Sequence, residues 1–129
     1  MSLLKMALRL NAVSCIGFGV LFGVVPGAVA AFLGQTSPVP SLVILILGIG
    51  LILNGIGLLL AARARHPSGW LVLFFSVGDF LWVLATIVLI VMGVWIETTA
   101  GIIAALLVAA VVGLFGLLQL IAWGRRGSA

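Results

Sequence analysis

Four strongly polar side chains, Asn11, Asn54, Asp79 and Gln119, interrupt apolar runs that otherwise hold almost nothing able to do chemistry. Asp79 is the only acidic residue inside such a run, and an ionisable group in that setting is a functional-site candidate by default. Its carboxyl suits three tasks: carrying a proton, holding a cation, or anchoring the polar head of a lipid-like ligand. The plain alternative is a hydrogen-bonding tie between helices, which carries about the same weight as the functional readings together. Trp82 lies one helical turn after Asp79 on the same side, so its indole N–H either lines the same polar patch or belongs to a large packing residue. Cys15 is the single cysteine, which rules out an intrachain disulfide and any paired-thiol chemistry.

Several chemistries drop out at once. The only histidine, His66, stands in a break between apolar runs, so a bis-histidine haem has no ligands to use; it reads as a solvated or headgroup-facing residue. No His, Cys, Asp or Glu cluster has metal-ligand spacing, and neither a metal nor a cofactor is expected. Gly17, Gly19 and Gly23 sit inside an apolar run with no Lys-Ser/Thr behind them, so they are packing residues and not a phosphate loop. With so little catalytic equipment, the chain reads more readily as a non-enzyme.

The elements that must position these residues follow from composition. Of 129 residues, 65% are hydrophobic and 6% charged, and the mean hydropathy is +1.53. A soluble domain of this size could not hide that much apolar surface. A bilayer core about 30 Å thick takes about 20 apolar residues per helix, and the spans 6–33, 41–62, 70–93 and 98–123 meet that need. The expectation is an all-α fold, a single transmembrane domain over 1–129 built as an up-down-up-down four-helix bundle. Long apolar runs and 17 glycines exclude a transmembrane barrel, which needs alternating strands. The first break holds Gln35, Thr36, Ser37, Pro38 and Pro40, and the second holds His66, Pro67 and Ser68, the composition of tight turns. Glu97 opens the last helix, where the helix dipole favours a carboxylate and Thr98 or Thr99 can satisfy the first amides.

Charge placement sets the threading. Lys5, Arg9, Arg63, Arg65, Arg125 and Arg126 all fall at the N-terminus, the second break or the C-terminus, so both termini are expected to be cytoplasmic. The same bias argues against a dual-topology antiparallel dimer. The net charge of +4 is thus a topology signal, and nucleic acid is not an expected partner; the bilayer is, with anionic headgroups along the basic rim. Lys5 and Arg9 ahead of an apolar run that contains Ala28-Val29-Ala30 also fit a cleavable leader, but Asn11 and four glycines within the run favour a retained helix.

Spacing gives the faces. Asn11, Cys15, Gly19, Gly23, Gly27 and Ala31 recur every four residues, a glycine-zipper ridge that lets another backbone approach closely, with Pro26 kinking its outer third. Matching seams are Gly50, Asn54, Gly57 and Ala61; Ser76, Asp79, Val83, Thr86 and Gly93; and Ala105, Ala109, Val112, Gly116 and Gln119. Packing within the chain is favoured, with a homo-oligomer or a partner membrane protein as the other occupant of such a face. Trp70, Trp95 and Trp123 mark helix ends at the membrane interface.

Counting about 1.5 Å per residue from the cytoplasmic ends puts Gln119 about 6 Å deep, Asn11 about 8 Å, Asn54 about 12 Å and Asp79 about 13 Å. The four form one layer and should bond to one another, helped by Ser14 and Ser76, with Arg9 the nearest basic candidate for Asp79. Laying the first hairpin on the second aligns Asn11 with Asp79, and both second helices end in arginines, but little else matches as an internal repeat.

The segment 21–34, LFGVVPGAVAAFLG, leads from a first helix through a short loop into three more. It resembles the small four-helix bacterial membrane proteins grouped as DoxX-like. The likeness covers the architecture of the whole chain and, at residue level, this segment. The resemblance implies a bacterial inner-membrane protein with an accessory role, since some members of that group serve as membrane subunits beside redox enzymes. An accessory or assembling component is therefore the first expectation, a small transporter or ligand-binding protein using the layer around Asp79 is the second, and a membrane enzyme is the third.

Overall fold

The computed structural model describes residues 3–36, 38–64 and 68–128. Ser37, Arg65, His66 and Pro67 lie outside the described residues, as do the side chains of Arg125 and Arg126, and so do the readings placed on them. The described chain is all-α with five helices: α1 (Leu3–Val24), α2 (Pro26–Leu33), α3 (Ser41–Arg63), α4 (Gly69–Met92) and α5 (Thr99–Ser128). Four of them, α1, α3, α4 and α5, are long and apolar enough to cross a membrane.

The span expected at 6–33 is two helices, a correction to the four-helix count. Pro26 has no N–H, and Val25 ahead of it leaves the helical region at φ −130° and ψ 57°, so the chain breaks instead of kinking. At the other end α5 runs past Trp123 to Ser128. Gly93 is not part of a helix seam: it ends α4 in the left-handed conformation with φ 66°, its amide bonded back to Ile90.

Small residues decide how α1 and α3 pack. A Cβ on Gly48 would lie 2.9 Å from the Gly19 carbonyl oxygen, and one on Gly55 would lie 3.0 Å from that of Ala12. The backbones therefore touch, and the pairing of 19 with 48 and 12 with 55 shows that the helices run in opposite directions. α4 and α5 pair likewise, with Gly116 against Asp79 and Gly113 against Val83. α1 joins the two pairs by packing on α5. The main apolar core gathers at one end, where Leu4, Leu8, Leu58, Ala61, Val72, Phe75 and Ala122 meet. Lys5, Arg9 and Arg63 lie at this end, called the basic end below.

The far end is fastened differently. Ala30, Val39 and Ile44 form a small cluster with Trp95 beside it. Glu97, just ahead of α5, also ties the first loop: its Oε2 accepts from the amides of Gln35 (3.0 Å) and Thr36 (2.9 Å), while its own amide donates to Leu33 O at 2.7 Å. Thr98 is the N-cap, its hydroxyl oxygen accepting from Gly101 N at 2.9 Å and the hydroxyl donating to Phe32 O at 2.7 Å. Gly34 allows this approach, since a Cβ there would stand 2.7 Å from Trp95 O. Trp95 itself takes φ 69°, a left-handed conformation for a bulky residue, held between the Pro38 bridge and buried Ile96.

Candidate functional site

Three of the four polar residues meet directly. Asn11 on α1 donates from Nδ2 to Asp79 Oδ2 at 2.9 Å and to Gln119 Oε1 at 2.8 Å. Gln119 on α5 donates from Nε2 to Asp79 Oδ2 at 3.3 Å and to Ser76 Oγ at 3.2 Å, and the Ser76 hydroxyl donates to Gly116 O at 3.2 Å. One amide each from α1 and α5 thus converges on a single carboxyl oxygen of α4. Asn11, Ser76 and Gln119 are at most 1% exposed and Asp79 6%, so little water competes for these bonds.

Helix geometry explains the meeting. Ser76 and Asp79 are three apart and Gly116 and Gln119 three apart, so each pair occupies one face. Gly116 has no side chain to hold α5 off, and a Cβ there would be 3.1 Å from that of Asp79. Ala12, 0% exposed one residue after Asn11, packs the same part of α1 into the core.

Asn54 stands apart from the directly bonded set. Its Nδ2 donates to Cys15 Sγ at 3.5 Å, and the Cys15 thiol donates to Asn11 Oδ1 at 3.5 Å, so α3 reaches the layer only through a thiol. Cys15, read from the sequence as a small packing residue, is in fact this relay; the signal was its position one turn above Asn11. Ser14 is half-buried and takes no part in these bonds. Asp79 is met by neutral amides, while Arg9 is exposed on α1. Trp82 is half-buried, and its carbonyl accepts from the Thr86 hydroxyl at 2.8 Å.

The zipper face of α1 closes over only part of its length. At Gly19 a Cβ would meet Ile52 Cγ1 at 2.6 Å and Gly48 O at 2.7 Å. At Gly23 it would meet nothing within 4 Å, and at Gly27 only Ser41 Oγ at 3.7 Å. The break at Val25 turns α2 away from the line of α1, so Ala30 is buried where Ala31 was expected. On α3 the close contacts are made by Gly48 and Gly55, which the seam through Gly50 and Asn54 missed. The α4 and α5 seams stand at Ser76, Asp79, Thr86, Ala109, Gly116 and Gln119, all buried. No protein-family model, curated protein or solved structure matches the chain.

Proposed function

We propose that this chain is a single-domain integral membrane protein, residues 1–129, that acts as an accessory or assembling component of a membrane system. In this reading it is an up-down-up-down bundle with both termini cytoplasmic, in the bacterial inner membrane, the last point resting on the DoxX-like resemblance. The placement of all six basic residues at or beyond the span ends on one side of the threading supports the orientation. A single-cysteine series made on the Cys15→Ser background is expected to label at Ser68 only from the cytoplasm and at Gln35 only from outside. The reverse pattern overturns the orientation.

The observation that carries the role is the use of Asn11, Asp79 and Gln119 on one another, with no fully buried side-chain oxygen or nitrogen lacking a partner among the described residues. Groups tied up in this way hold three helices in register, and leave an outer surface of residues such as Val13, Leu53, Phe74 and Leu107 for lipid or another protein. The second reading, a small transporter, is favoured by one detail: Asp79 Oδ1 accepts from no described residue. Native membranes and proteoliposomes separate the two. An accessory component is expected to migrate in mild detergent within an assembly larger than its own oligomer, and to pass no protons or monovalent cations. A self-contained particle whose flux is lost on Asp79→Asn would sink the accessory reading and establish transport.

A further inference from the structure

α3 and α4 touch near the basic end and part above it. Gly57 faces the Phe75 ring, with a Cβ there 3.4 Å from Cζ. Gly50 is seven residues earlier and hence on the same side of α3, yet a Cβ there would meet nothing within 4 Å. On α4, Trp82 is seven residues after Phe75, and Gly78 beside it also faces open space. Above the Gly57–Phe75 contact, Gly50 and Asn54 continue the same side of α3 and Trp82 that of α4, and the space between these two faces is called the notch below, with Cys15 bonded to Asn54 at its α1 side.

The polar groups at the notch are incompletely bonded. Asn54 gives Nδ2 to Cys15, but its Oδ1 accepts from no described residue, and the Trp82 indole N–H has no described acceptor. Asp79 Oδ1 is in the same position. Because no fully buried side-chain oxygen or nitrogen among the described residues lacks a partner, all three atoms keep some contact with the surface of the protein. Asn54 is nine residues from the end of α3 at Arg63, about 13 Å along the axis, a depth where the surroundings of a spanning helix are hydrocarbon.

The geometry points to a lateral binding site here for an apolar, membrane-dissolved molecule carrying one small uncharged hydroxyl. The Asn54 oxygen calls for a donor and the indole N–H calls for an acceptor, and a hydroxyl is both in one atom. A charged head is disfavoured at this depth, and the long apolar remainder of the molecule lies along the open faces of α3 and α4. The site depends on the membrane reading above and is independent of the accessory role.

The test is photolabelling of the full-length chain in phosphatidylcholine nanodiscs. The probes are a long-chain alcohol with a diazirine close to its hydroxyl and the matching hydrocarbon. The alcohol is expected to label residues 50–54 and 78–82 about three- to tenfold above the hydrocarbon, the range one or two intramembrane hydrogen bonds supply. Asn54→Leu and Gly50→Phe should each abolish that excess. Gly50→Phe fills open space, so it should leave thermal unfolding unchanged, and it keeps the test decisive if Asn54→Leu folds poorly. Equal labelling by the two probes, or an excess that persists in both variants, overturns the site. So does a Gly50→Cys variant that forms a disulfide dimer excluding the alcohol, because the notch then holds a second copy. Inverted cysteine labelling at Ser68 and Gln35 would reverse the orientation without touching these outcomes.

Discussion

Asp79→Leu is expected to destabilise the folded protein by about 2–4 kcal/mol, whereas Asp79→Asn should cost less than about 1 kcal/mol. The leucine removes the oxygen on which two amides converge, leaving Asn11 Nδ2 with one of its two acceptors and Gln119 Nε2 with only Ser76. A buried donor stripped of its acceptor costs about 1–3 kcal/mol, and two are affected here. Asparagine keeps one carbonyl oxygen to receive both N–H groups, and its amide nitrogen takes the place of Oδ1, which accepts from no described residue. Reversible unfolding in mixed micelles, followed by far-ultraviolet circular dichroism, gives both numbers. Equal losses for the two variants would show that charge, and not hydrogen bonding, holds the site together; no loss for Asp79→Leu would show that the layer contributes nothing to stability.

The second large effect is steric. Gly19→Ala should destabilise by about 1–3 kcal/mol and Gly19→Leu by more, while Gly17→Ala should be neutral or slightly stabilising. The added Cβ at Gly19 has Ile52 Cγ1 at 2.6 Å, Gly48 O at 2.7 Å and Ile52 N at 3.0 Å. Two of these three are backbone atoms of α3, so relief requires the helices to part along their closest line of contact. Gly17 meets nothing within 4 Å, and alanine there gains helix propensity at no steric cost. Gly19→Ala and Gly48→Ala should be less than additive, because one displacement of α3 relieves both. Stability unchanged in Gly19→Leu would mean that α1 and α3 are not in backbone contact.

Much of the positioning was legible because it follows from period and composition. Spans of apolar residues gave α3, α4 and α5 to within a residue or two at most ends, since a helix in an apolar run stops where charge, proline or glycine makes it stop. The meeting of Asn11, Asp79 and Gln119 followed from depth alone: polar groups at similar heights on inward faces must bond to one another. What escaped was rotation. The six glycines and alanines of α3 offer several equally small seams, and only the packed structure selects Gly48 and Gly55 over Gly50. The break at Val25 escaped for a related reason, because a proline in an apolar run either kinks or ends a helix depending on what its neighbours repair. Glu97 escaped because its partners are backbone amides of a loop more than 60 residues away, and backbone amides carry no residue-specific signal.

The hydrogen bonds of Asn11 also bear on the order in which the chain can be built. Every helix that satisfies its amide nitrogen lies in the second half of the sequence, at Asp79 and Gln119, while the first half offers only the thiol of Cys15 to its oxygen. A nascent chain that had released α1 and α3 into lipid would therefore carry an unsatisfied amide there until α4 and α5 arrived. During that interval the incomplete hairpin differs from the finished protein in a way an insertase or a membrane protease can sense. Truncation after residue 64 removes both acceptors of the Asn11 amide, and the product is expected to be less stable in the membrane than the full chain.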